Sequence, residues 1–182
     1  NEARTGSDLG HLRVIEQAAV ACDGDRIVFV GTERELRQAV RLREGGREVD
    51  AAGGTVTPGF VDAHTHLPFA GWREQEFDAR LRGATYSEIA AGGGGILSTV
   101  ARTREADEAE LVGLVRRRLD AMLALGTTTV EAKSGYGLSL EDELKQLSAL
   151  RRVAGDHAVD VVPTFLGAHT VPAEYRPRRS DY

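Results

Sequence analysis

The sequence predicts an α/β fold built on parallel strands, and three observations carry that prediction. After Thr55 the pattern runs strand, helix, strand, helix, strand, an alternation that implies parallel strands joined by right-handed crossovers. The strands, over residues 56–66, 127–133 and 159–169, each end in chemically capable side chains. The first ends in His64-Thr65-His66, and alternation along a strand turns both imidazoles to one face and Thr65 to the other.

Residues 1–57 read as short strands and turns that form a small β-rich module. Apolar runs over residues 18–22 and 26–30 flank Asp23-Gly24-Asp25, a hairpin signal. Gly31-Thr32 then leads into a short helix over residues 33–42, and Gly45-Gly46 and Gly53-Gly54 punctuate the stretch beyond it. Residues 58–182 carry the alternating pattern. A helix is predicted over residues 105–125, where Leu111, Leu114, Val115, Leu119, Met122 and Leu123 recur at helical spacing. Acidic residues crowd its start and Gly126 follows its end. A second helix over residues 140–154 is introduced by Ser139 and Asp142 as a capping box and closed by Gly155. A closed barrel of eight such units takes about 250 residues. Three strands are visible here, so, unless the sheet is an open one, the sequence reads as an α/β chain holding about three βα units of a (β/α)8 barrel.

Bulk properties narrow the function. In 182 residues the chain could hold one domain or two small ones, and 41% hydrophobic with 28% charged residues is ordinary for a soluble globular protein. A net charge of −5 and the absence of a large basic block argue against nucleic acid; Arg176, Arg178 and Arg179 make only a short exposed cluster. No apolar run approaches about 18 residues and no signal peptide is seen, which argues against a membrane or secreted location. The single cysteine, Cys22, reads as an ordinary strand or turn residue and fits a reducing, cytoplasmic compartment. The chain begins at Asn1 without a methionine and stops at Tyr182 without a recognisable terminal element, and on that ground reads as a fragment. A homodimer is compatible with all of this.

The strand ends carry the chemistry. His64 and His66 form half of a metal site, because histidine is the commonest metal ligand and a catalytic zinc or iron needs further ligands and an open position. His-x-His pairs are common in themselves; Asp62 on the same face and the Pro58-Gly59 entry strengthen the metal reading by placing the pair at the far end of the strand. In a (β/α)8 barrel that end is where chemistry sits. Arg73 suits a carboxylate, which its planar guanidinium can bind bidentately, or is a surface arginine. Tyr136 stands between two glycines and either reaches into a pocket or caps a loop. Lys133 is a carbamylated bridging ligand, a substrate contact or an ion-pair partner of Glu131, with the last two favoured. His169 either hydrogen-bonds a substrate or is a satisfied core histidine. His11 and His157 are read as solvent-facing. The run Gly92 to Gly95 lacks the Gly-Lys-Ser/Thr of a phosphate loop and is read as a lid or tight turn.

At this point the residues resemble a known family. The run from Pro58 through His66 resembles the first barrel strand of the amidohydrolase superfamily, and the β-rich segment before it looks like the N-terminal part of that superfamily's small β-sandwich. More narrowly, the chain resembles the imidazolonepropionase family. The likeness runs through His64-Thr65-His66-Leu67, Phe69-Ala70-Gly71 with Arg73, Tyr86 to Ala90, Gly93 to Ile96 with Ser98 to Val100, Glu131 to Leu138, and Thr164 to His169 with Val171-Pro172. It covers nearly the whole chain; Pro68, Trp72 and Thr170 depart from it.

The resemblance implies ring opening of 4-imidazolone-5-propanoate by water to give N-formimidoyl-L-glutamate. It implies that His64 and His66 are metal ligands for zinc or iron. Arg73 would hold the substrate's propanoate, and Tyr86, Tyr136 and His169 would line its pocket. The remaining ligands and the general base are expected beyond Tyr182, so the residues present are expected to turn over negligibly alone and to expose an aggregation-prone sheet edge. The competing readings are another cyclic-amide hydrolase or deaminase of the superfamily with an altered pocket, and a non-catalytic truncated product.

Overall fold

The computed structural model describes residues 5–182 and divides the chain into two compact units, Asn1–Val56 and Thr57–Tyr182. In the first, β1 (Ala18–Asp23) and β2 (Arg26–Thr32) pair antiparallel, with Asp23 opposite Arg26 across the turn and a bulge between Ala21 and Cys22. Thr32 then opens α1 (Glu33–Ala39): its hydroxyl accepts from the Glu35 amide while the Glu35 carboxylate accepts from the Thr32 amide at 2.8 Å. This reciprocal capping satisfies two amides that a helix start otherwise leaves open. The helix stops three residues short of the predicted Leu42, because the β-branched Val40 takes up extended backbone. Among the described residues this unit buries no apolar side chain.

The second unit is a mixed α/β structure. Its strands are β3 (Phe60–Thr65), β4 (Thr127–Lys133) and β5 (Asp160–Thr164), parallel and in the spatial order β3-β4-β5. The predicted first strand was longer; pairing begins only where the Phe60 amide donates to the Gly126 carbonyl at 2.9 Å, past Pro58, which has no amide to give. The third strand also ends early, at Thr164, and Gly167–His169 form a 3₁₀ turn.

Between β3 and β4 the chain makes four helices: α2 (Glu74–Leu81), α3 (Tyr86–Ala91), α4 (Ile96–Glu105) and α5 (Glu108–Ala124). Glu105, predicted to begin the long helix, ends α4 instead. Asp107 breaks the run, taking extended backbone so that its carboxylate can accept from the Glu110 amide at 2.7 Å. The glycine run ends at Gly95, which sits immediately before α4. Helix α6 (Leu140–Ala154) matches its prediction, with the Ser139 hydroxyl accepting from the Asp142 amide at 3.2 Å and Gly155 at its end.

Alternation along β4 decides where the core lies. Val130 and Ala132 are fully buried and pack with Leu67, Val115, Leu119, Leu150, Val153 and Val159. Glu131 and Lys133 therefore face the other way. Helices α5 and α6 cover one side of the sheet, and the ionisable residues of β4 occupy the other. Phe60 and Val61 of β3 and Val162 of β5 remain exposed.

Candidate functional site

Each strand hands one aromatic or imidazole ring to a common cluster just past its C-terminal end. His66 follows β3, Tyr136 follows β4 and His169 follows β5. The His66 and His169 rings stack at 5.0 Å between centroids with 17° between planes. Tyr136 meets His66 edge-on at 4.9 Å and His169 at 5.4 Å. His64 lies 5.9 Å from His66, ring to ring. The structure thus brings together four residues predicted from the strand ends.

His66 Nδ1 is buried and has no hydrogen-bond partner. Burial, and then the neighbouring His169, lower its pKa, which keeps the ring in the neutral form that binds metals. An orphaned, buried imidazole nitrogen is what a missing electrophile would leave. Two imidazoles are half of a tetrahedral set, and among the described residues no group of three or more His, Cys, Asp or Glu is placed to hold an ion. Lys133 pairs with Glu131 through Nζ and Oε1, and the hydrogen bonds from Lys133 and then Thr164 hold the Glu131 carboxyl below its ordinary pKa. Of the roles open to Lys133 in the sequence, the ion pair is the one observed.

A cavity of about 400 Å³ adjoins the cluster, lined by Phe69, Trp72, Arg73, Phe77 and Tyr136 among others. Arg73 stands at its wall, with Nη1 3.8 Å from a Glu76 carboxylate oxygen, so its charge is only loosely engaged and stays available to an anion. Tyr86 does not join the rings: it is exposed on α3, and its hydroxyl lies beside Gly95. Nor is His157 solvent-facing as predicted. Its side chain is 5% exposed, with Nε2 3.1 Å from Asp120 Oδ1 and Nδ1 accepting from the Val159 amide at 3.0 Å; it joins α5 to the start of β5. His11 is exposed as expected, 3.8 Å from Asp8.

The loops that carry these rings are held by side chains the sequence reading passed over. From α5, the Arg118 guanidinium donates to the carbonyls of Leu67 and Phe69 and lies 3.7 Å over the Phe69 ring. Among the described residues no carboxylate pairs with it, and burial pushes its pKa down to about 10. From α6, Gln146 donates to the Pro68 carbonyl at 2.5 Å. Glu143, one turn earlier, accepts from the amides of Gly135, Gly137 and Leu138 at 2.7–2.8 Å. A usable signal existed: Arg118 and Gln146 fall on the apolar stripes of their helices, where a polar residue must have a buried partner.

Two findings place this arrangement among known proteins. A profile of the amidohydrolase family matches residues 47–92, the stretch that runs through β3 and its histidines. Over that stretch the chain is similar to the amidohydrolases. The chain is also similar to imidazolonepropionases: it is 57% identical to the imidazolonepropionase of Symbiobacterium thermophilum over 98% of its own length and 42% of that protein's. It is 53% identical to the Geobacillus kaustophilus imidazolonepropionase over 97% of its length and 41% of that protein's. The Caulobacter vibrioides imidazolonepropionase is 52% identical over 94% and 42%. The chain spans about two fifths of the length of the curated relatives it matches. Among its described residues no helix is long and apolar enough to cross a membrane.

Proposed function

We propose that these residues form part of the active site of a metal-dependent hydrolase that opens the ring of 4-imidazolone-5-propanoate to N-formimidoyl-L-glutamate. The observation that carries this reading is the meeting of His66, Tyr136 and His169 beside a cavity whose wall holds Arg73. On this reading the three parallel strands are the first of a (β/α)8 barrel, whose chemistry gathers at the C-terminal ends of the strands. The N-terminal unit, residues 1–57, is then part of a small β-sandwich.

The reaction is an amide hydrolysis. Water adds to the ring carbonyl carbon, the C–N bond breaks, and the released nitrogen takes a proton. The Arg73 guanidinium binds the substrate's propanoate through charge-assisted hydrogen bonds. The faces of Phe69, Trp72 and Tyr136 receive the flat ring, and the Tyr136 hydroxyl and His169 supply hydrogen bonds that orient it. His64 and His66 would hold a zinc or iron ion, which supplies a polarised carbonyl and a water of lowered pKa.

The full natural protein, incubated with 4-imidazolone-5-propanoate, is expected to release N-formimidoyl-L-glutamate. Hydrolysis of hydantoin or dihydroorotate without any action on the imidazolone would overturn the substrate assignment. Arg73→Ala should raise KM by about 10- to 100-fold, the value of charged hydrogen bonds to one carboxylate, and Arg73→Lys by less; an unchanged KM removes Arg73 from the role. His66→Ala should lose bound metal on elemental analysis, and wild-type metal content would refute its role as a ligand.

A further inference from the structure

Glu143 is 1% exposed and lies in the first turn of α6, and among the described residues no cation bonds to its carboxylate. The three hydrogen bonds that it accepts all come from the backbone of one loop. Oε2 accepts from the Gly135 amide at 2.7 Å, and Oε1 accepts from Gly137 at 2.8 Å and Leu138 at 2.7 Å. Tyr136 is the residue between the first two of those amides. We infer that Glu143 is the positioning residue of this site, one buried carboxylate that sets both Tyr136 and His169.

The link to Tyr136 is direct. With the amide on each side tied to a different oxygen of one rigid carboxylate, the backbone at Tyr136 has little freedom left, and the ring is delivered edge-on to His66 at 4.9 Å. The loop could not hold this shape unaided. Leu138 is fully buried in the left-handed region at φ 51, a conformation that a leucine keeps only where the surroundings impose it. Gly137 comes so close to α6 that a Cβ there would stand 2.6 Å from the Glu143 nitrogen.

The link to His169 runs through the other side of the same peptide chain. The Gly135 carbonyl lies 2.9 Å from His169 Nδ1. A carbonyl only accepts, so Nδ1 carries a proton towards Gly135, and the Nδ1–H tautomer is the one that leaves Nε2 as an acceptor. Ser134 strengthens the junction, its hydroxyl accepting from the Leu166 amide at 3.0 Å. Arg104 closes the far end of the loop by donating to the carbonyls of Gly137 at 2.6 Å and Leu138 at 2.9 Å. Glu143 thus sets where Tyr136 stands and which nitrogen of His169 is protonated.

The substitution Glu143→Gln tests this, because it keeps the volume and replaces one acceptor oxygen with a donor NH₂. Either the Gly135 amide or the Gly137–Leu138 pair then faces a donor. The kinetic arm rests on the hydrolase reading above. In the full natural enzyme the variant should raise KM for 4-imidazolone-5-propanoate about tenfold or more, the loss expected for a charge-assisted hydrogen bond, with Glu143→Asp falling between it and the wild type. The second arm does not depend on that reading: ¹⁵N spectra of His169 should show the Nδ1–H tautomer in the wild type and a mixture in the glutamine variant. Unchanged KM and an unchanged tautomer in the variant would overturn the inference, whereas a wild type inert towards the imidazolone would overturn only the substrate assignment. If the variant does not fold, the wild type alone decides. Slow amide exchange at Gly135, Gly137 and Leu138 with an Nδ1–H His169 supports the inference; free exchange or an Nε2–H ring ends it.

Discussion

The loop after β3 is held through its carbonyls, whereas the loop after β4 is held chiefly through its amides, with Arg104 adding a hold on the Gly137 and Leu138 carbonyls. After β3, the carbonyls of Leu67, Pro68 and Phe69 each accept from a side chain of the covering helices, two from Arg118 and one from Gln146. After β4, the amides of Gly135, Gly137 and Leu138 all donate to Glu143. Arg118 and Gln146 donate to carbonyls and Glu143 accepts from amides, and in each case the anchor belongs to a helix on the far side of the core. The lesson is that the outer helices do more than bury the sheet. Each sends a polar head past its apolar stripe to fix a loop that no backbone ladder reaches.

The two anchors are not equally committed. Glu143 has all its amides at good distances, while among the described residues Arg118 leaves Nε and Nη2 buried without partners and carries its charge without a counter-ion. Removing Glu143 should therefore cost more. Glu143→Leu strands three buried amides, each worth about 1–3 kcal/mol, and a loss of at least about 4 kcal/mol is expected in denaturant unfolding. A cost under about 1 kcal/mol would erase the contrast. Arg118→Met keeps an apolar stem and relieves a buried charge, so it should cost only about 1–2 kcal/mol. It should also shift the emission of Trp72, the protein's single tryptophan, because the guanidinium lies 4.9 Å from that ring. An unmoved spectrum would detach Arg118 from the cavity wall. The smallest effect belongs to a local anchor: Asp107→Ala removes the cap of α5 and should cost about 1 kcal/mol, leaving both loops and KM for the imidazolone as they were. A change in KM would show that the start of α5 is coupled to the site.

Much of the strand and helix pattern was legible because it depends on neighbours in sequence. The strand-helix-strand order marked β4, helical spacing marked α5, and Ser139 with Asp142 marked the start of α6. The misplaced ends have local causes as well. Pro58 delays pairing of β3, and Asp107 divides what apolar spacing alone would join to Glu105. His64, His66, Tyr136 and His169 were picked out at the strand ends, and parallel pairing of β3, β4 and β5 is what gathers them.

By itself, then, the sequence determined the α/β alternation, the parallel order it implies and the residue types offered at each strand end, because propensity, period and capping act over a few residues. The tertiary structure alone decided that Glu143 serves a loop rather than solvent, that Arg118 is buried unpaired, that His157 joins α5 to β5, and that Tyr86 stands apart from the rings. Those outcomes depend on which polar groups lose water when distant segments pack. A buried charge is placed by the partner it finds across the core, and nothing in its own stretch of chain names that partner.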